Sequence, residues 1–223
     1  MPPFTIHESV AKNLNKKYKL DDVLFTLGNI APDCWRNAKV FGGENRNLSH
    51  FYNSSLGKKN EDYDAFYEKY KDKMNNPMYL GYLTHLITDT YWRNYVYPKY
   101  ITKVNGNHAF IKKDGSIYYT ENKEEFSKFK WKNIHSMDLP LIEKYNLISL
   151  PIEKIEYNNF DFNIDELDLT GLFGNEGTIN YTNNVIDNAE YYESDLFDIE
   201  KIAEDIDKTC EFIDKEIDRL SSK

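Results

Sequence analysis

The sequence predicts an all-α protein, a mainly helical bundle with one small β-hairpin insertion near residues 107–119. Two amphipathic stretches and one turn signal support this. Phe197, Ile199, Ile202, Ile206, Cys210, Phe212 or Ile213, Ile217 and Leu220 recur at helical steps, as do Tyr63, Phe66, Tyr67, Tyr70 and Met74. Lys113-Asp114-Gly115 separates Asn107-His108-Ala109-Phe110-Ile111 from Ser116-Ile117-Tyr118-Tyr119, and an Asp-Gly pair in that setting favours a hairpin. The 223 residues suit one domain, 1–223, large enough to bury a core.

The elements follow in order. Thr5-Ile6-His7-Glu8 has the form of a capping box, with the Thr5 hydroxyl and Glu8 satisfying each other's backbone amides. The helix it opens turns Val10, Ala11 and Leu14 inward. A second helix starts at Asp21 or Asp22, a good N-cap type, and runs through Val23, Leu24, Phe25, Leu27 and Ile30. Pro32 disfavours helix at Ala31, so this helix stops just before Asp33. Residues 35–47, with Gly42-Gly43, read as loop, and a third helix begins near Asn47 and holds His50 and Phe51. The helix over 61–74 is followed by one with Pro77 in its first turn, running to about Tyr95 and apolar on most sides, as a central helix should be. Beyond the insertion, helices are expected at 122–130 and 132–146. Residues 151–192 read as loop or short helix before the final amphipathic helix.

Composition narrows the function. Lys and Arg number 28 against 37 Asp and Glu, a net charge of −9. Long nucleic acids and anionic membranes select the opposite balance, although small substrates and local basic pockets stay open. Two cysteines, Cys34 and Cys210, make no disulfide framework. No stretch approaches the roughly 18 apolar residues of a membrane span. Met1-Pro2-Pro3-Phe4 lacks the basic flank and apolar run of a signal peptide, so the expected location is cytoplasmic.

Chemistry concentrates around three of the five histidines. In Gly81-Tyr82-Leu83-Thr84-His85-Leu86-Ile87-Thr88-Asp89, helical spacing puts Gly81, His85 and Asp89 on one stripe. An imidazole and a carboxylate one turn apart can share a divalent metal, or form a hydrogen-bonded pair that Arg93 extends as a charge ladder. Gly81 leaves room for a metal or for another helix. In Gly28-Asn29-Ile30-Ala31-Pro32-Asp33, a carboxylate stands at a helix C-terminus, where the helix dipole disfavours it and a cation would hold it. Ser49-His50-Phe51 and His7 add two imidazoles. His7, Asp33, His50, His85 and Asp89 together form an N/O donor set suited to one or two ions of zinc, with iron or manganese also compatible and calcium less so.

The ordered set H-x-x-x-A, G-N-I-A-P-D, S-H-F and G-Y-L-x-H-x-x-x-D resembles the zinc-dependent phospholipase C family, over about residues 5–95 and weakly to about 145. The resemblance implies an all-helical phospholipase C-like fold and hydrolysis of phosphate esters by metal-activated water, in a superfamily that also contains zinc nucleases. It implies that Asp33, His50, His85 and Asp89 hold one zinc and that His7 and Asp89 hold a second, with Asp89 bridging. The secreted members' N-terminal Trp ligand has no counterpart in Met1-Pro2-Pro3. The third zinc pattern is also missing: six residues past Asp89 lies Tyr95, which leaves only His108 and His135 as further imidazoles. Asp33 is expected to double as general base, Trp92 to wall the pocket, and Arg93 to pair with Asp89 or meet a substrate anion.

Other motifs fail on their own terms. Asp161-x-Asn163-x-Asp165 begins like a calcium loop but has Glu166 and Leu172 where glycine and a bidentate acid are required. Gly171, Gly174 and Gly177 precede no Lys-Ser/Thr, so there is no P-loop. The expected activity is hydrolysis of a small phosphate ester, with a nucleotidase or nuclease, or a binding protein with a vestigial metal site, as the alternatives.

Overall fold

A computed structural model describes residues 2–33, 47–56, 60–151 and 178–222. Its helices are α1 (Phe4–Tyr18), α2 (Asp22–Ile30), α3 (Tyr63–Tyr70), α4 (Pro77–Tyr91), α5 (Lys123–His135), α6 (Asp138–Tyr145), α7 (Thr178–Asn188) and α8 (Ile199–Ser221). The insertion is an antiparallel sheet in the order β1 (Ile101–Val104), β2 (Asn107–Ile111), β3 (Ile117–Tyr118). The protein is mainly helical with a small β insertion.

Helix α4 is the centre of the core, because apolar side chains surround it. Tyr79, Tyr82, Leu83, Leu86 and Ile87 are fully buried, against Phe25, Leu27 and Ile30 of α2, Ile6, Val10 and Ala11 of α1, and Ile202, Ile206 and Ile213 of α8. Helices α2 and α4 meet backbone to backbone. A Cβ on Gly28 would lie 2.1 Å from the Met78 carbonyl oxygen, and one on Gly81 would lie 2.3 Å from that of Phe25. Gly81 therefore makes room for a neighbouring helix. Asp21 accepts from the Leu24 amide at 2.9 Å and Asn76 from the Met78 amide at 3.0 Å, and caps of this kind contribute about 1 kcal/mol each.

Several boundaries differ from expectation. There is no capping box at Thr5. The N-cap is Pro3, whose carbonyl accepts from the Ile6 amide at 3.0 Å, and the helix starts at Phe4. Thr5 is then already inside the helix, and its hydroxyl donates to Asp138 Oδ1 of α6 at 2.8 Å. Glu8 is buried beside Lys12 and Asp22, where burial first, and Asp22 second, push its carboxyl up to about 8. The helix expected from Asn47 is one turn, 47–49, ending before His50. Helix α5 runs on to His135, and the break before α6 falls at Ser136-Met137.

The hairpin over 107–118 has a third strand ahead of it, β1, with Ile101 opposite Phe110. Asn105 (φ 50°) and Gly106 (φ 80°) turn β1 into β2, the left-handed pair that an Asn-Gly dipeptide supplies at low cost. The 35–47 loop up to residue 46, Cys34, and the Asp161–Asp165 and Gly171–Gly177 motifs lie outside the described residues.

Candidate metal centre

Four separate segments deliver the donors. His7 comes from the second turn of α1, Asp33 from a 3-10 turn over 31–33 that extends α2, His50 from the end of the 47–49 turn, and His85 and Asp89 from successive turns of α4. His7, His50 and His85 are wholly buried, Asp89 is 1% exposed and Asp33 is 6% exposed.

The side chains meet. The His7 and His85 rings stack at 3.9 Å between centroids and 7° between planes, and His50 lies edge-on to His85 at 5.4 Å. Asp89 stands between two imidazoles, with Oδ1 3.4 Å from His7 Nε2 and Oδ2 3.7 Å from His50 Nε2. Asp33 Oδ1 is 3.5 Å from His50 Nε2. Two triplets, His7/His85/Asp89 and Asp33/His50/His85, each present ligand atoms within 4.8 Å of one another, with His85 common to both.

Surrounding groups fix which nitrogen faces inward. A carbonyl only accepts, so His85 Nδ1 donates to the Asn29 carbonyl at 2.6 Å and leaves the Nε2 lone pair for the cluster. Asn29 is held in turn by its side-chain amide, which donates to Thr84 Oγ1 at 2.6 Å. Ser49 Oγ lies 2.9 Å from His50 Nδ1, and the Tyr82 hydroxyl donates to the Ser49 carbonyl. Nothing in the sequence marks Asn29, Ser49 and Thr84 as orienting groups, although Asn29 stands inside Gly28-Asn29-Ile30-Ala31-Pro32-Asp33 and Ser49 inside Ser49-His50-Phe51.

Electrostatics match the geometry. Burial, then the His7 ring, push His85 down to about 3, so its imidazole is neutral at any ordinary pH. Burial alone would raise Asp89, but His7 first, then His85 and His50, outweigh it and hold the carboxyl below the usual range. His85 Nε2, both nitrogens of His7 and both oxygens of Asp89 are buried and make no hydrogen bond among the described residues. Burying so many lone pairs unsatisfied is costly, and a divalent cation is the partner this neutral-imidazole and carboxylate set fits.

Other candidates lie elsewhere. Arg93 does not pair with Asp89. Its guanidinium bonds Glu61, with Asn60 Oδ1 at 3.2 Å. The cause is local: from Trp92 to Val96 the chain widens into a π-helical turn, which carries Arg93 off the stripe that His85 and Asp89 share. Trp92 directs its indole N–H to Thr209 Oγ1 of α8 at 3.1 Å, a core contact. His108 is exposed on β2, and His135 Nδ1 bonds Asp138 Oδ2 at 2.9 Å. Neither joins the cluster. Cys210 is on the inner side of α8, its thiol pushed up to about 12 chiefly by burial. Among the described residues no helix is long and apolar enough to cross a membrane.

Comparison with known proteins agrees with this picture. The profile of the family described as zinc dependent phospholipase C matches residues 2–166. No curated protein and no solved structure matches the chain. The matched stretch covers well over half of the 223 residues and includes every one of the five buried donors, so the chain belongs to the zinc-dependent phospholipase C family, a family of phosphoric diester hydrolases.

Proposed function

We propose that this protein is a metal-dependent hydrolase of phosphate esters, with His7, Asp33, His50, His85 and Asp89 as ligands to one or two zinc ions. The observation that carries the proposal is the meeting of five buried donors from four segments, with His85 Nε2, both His7 nitrogens and both Asp89 oxygens making no hydrogen bond among the described residues. Zinc bound there supplies a Lewis acid for the phosphoryl oxygen and lowers the pKa of a water toward neutrality.

The chain's own residues supply the rest. Asn29 and Ser49 orient His85 and His50, so that neither ring spends organisation energy when a ligand enters. Asp89 turns one oxygen toward His7 and the other toward His50, so its negative charge would offset that of cations held by these imidazoles. Asp33 is the least enclosed of the five, and its carboxylate would take the proton released as water adds to phosphorus. The Glu61–Arg93 pair lies close enough for Asp89 to act on both charges, which leaves the guanidinium anchored near the centre.

The test is hydrolysis of bis(p-nitrophenyl) phosphate by zinc-loaded protein, beside the Asp89→Asn variant. Asp89→Asn keeps the volume and removes the charge. It should bring turnover to background and lower bound metal more than Asp138→Asn does. A variant with unchanged turnover and metal content would exclude this assignment. Hydrolysis of nucleotides but not of the diester would move the substrate to the nucleotidase alternative.

A further inference from the structure

The stretch from Lys99 to His135 has a charge unlike the rest of the chain. It carries eight lysines against four acidic residues, in a protein of net charge −9. It also builds a small core of its own. Phe110 of β2 stacks on Phe126 of α5 at 4.8 Å, and Tyr118 of β3 stacks on Phe129 at 3.7 Å, fixing the helix across one face of the sheet.

Beside those rings the packing leaves a space. Tyr100, Ile101, Phe110, Ile134, Leu196 and Phe197 line a cavity of about 160 Å³. That is several times the roughly 30 Å³ a water takes in the liquid, and an apolar lining gives water little reason to fill it. Among the described residues Lys130 is the single charged side chain of the lining, and its ammonium also stands over the Trp131 ring at 5.0 Å. The Tyr100 phenol lines it too, and burial first, with Asp205 and Asp198 adding, pushes the phenol up to about 12, so it stays a hydroxyl donor. Asp205, whose charge would oppose an anion here, is ion-paired with Lys99. None of the five metal-centre donors belongs to this cavity.

An apolar cavity bordered by the Lys130 ammonium and by the Tyr97 and Tyr100 phenols fits a molecule with an apolar chain and an anionic head. The chain gains by leaving water, and the head keeps a cation and a donor without being fully desolvated. We propose that the cavity between the sheet, α5 and the 196–197 segment is a binding site for such a single-chain amphiphilic anion, with its tail against Ile134 and Phe110 and its head at Lys130.

The probe is decanoate below its micelle concentration, titrated by calorimetry into the zinc-loaded 223-residue protein, with decanol as the uncharged partner. One saturable site is expected, with decanol about tenfold weaker, the scale of one charge-assisted contact. Lys130→Gln should erase that difference, and Ile134→Trp should fill the cavity and abolish decanoate binding. Because Ile134→Trp could disturb folding, its far-ultraviolet dichroism is compared with wild type, and the Lys130→Gln and decanol arms decide without it. A carboxylate captured by the zinc centre instead would be indifferent to both substitutions, and that result overturns the proposal, as does equal binding of decanol or none of decanoate. Vesicles of phosphatidylcholine with phosphatidylglycerol distinguish the source. Protein that binds them and is released by decanoate takes the chain from a bilayer lipid, whereas protein that ignores them while binding decanoate takes a free amphiphile.

Discussion

Asp89 receives two imidazoles on two different oxygens, 3.4 Å from His7 and 3.7 Å from His50, while sharing a helix face with His85. Its placement beside His85 was legible because it needs only one helix and a four-residue step. What surrounds the pair was not. The carbonyl that fixes His85 belongs to Asn29, and it reaches the ring only because two helices touch backbone to backbone. Arg93 left the expected ladder because one π-helical turn changed the register, which no periodicity in the sequence announces. His135 illustrates a different residue-scale effect. Its bond to Asp138 raises the imidazole pKa above its ordinary 6.5, against an opposing contribution from burial. The stability this gives is fully present below about pH 6.5, where the unfolded chain is also protonated, and is lost as pH rises through the higher folded value. His135→Gln should therefore cost up to about 1 kcal/mol at pH 6, the ring being partly exposed and screened, and almost nothing at pH 9. Thermal melts at the two pH values check this; an equal cost at both would show that packing against Trp131 matters instead of charge.

At the scale of elements, the crossing of α2 and α4 sets the centre. Gly28 and Gly81 each abut the other helix's backbone, so a side chain at either position cannot be accommodated by a rotamer change. Gly81→Ala should push the helices apart and cost about 3 kcal/mol, near the upper end for overpacking. The displacement should also draw the Asn29 carbonyl away from His85, so zinc affinity should fall with stability. Chemical denaturation and a zinc titration of the same variant test both, and a variant with wild-type values in each would show that the helices have slack. The helices with regular apolar spacing, α3, α4 and α8, were readable because burial and period coincide. The start of α1 was not, since Pro3 took the N-cap that Thr5-x-x-Glu8 advertised and Thr5 turned to Asp138. Strand β1 did have a signal, Asn105-Gly106, but its strand is only four residues long and half-buried.

For the whole molecule, the first turns of α1, the end of α2, the 47–50 turn and the middle of α4 come together only in the folded chain. A ligand that bridges them therefore acts as a cross-link between segments far apart in sequence. An ion that binds the native state and not the unfolded chain contributes about 4 kcal/mol when present at a thousandfold its dissociation constant. For a domain of this size that corresponds to a rise in Tm of about 10 °C. Chelation should reverse the gain, and zinc should restore it; a Tm indifferent to both would place any bound metal outside the core.

The most direct measurement is anomalous scattering at the zinc edge from crystals of the zinc-loaded protein. The expected result is one or two peaks enclosed by His7, Asp33, His50, His85 and Asp89, with none beside His108 or His135. Density without an anomalous peak in that cluster, from crystals shown by fluorescence to contain zinc, would contradict the assignment of these five residues as the metal centre.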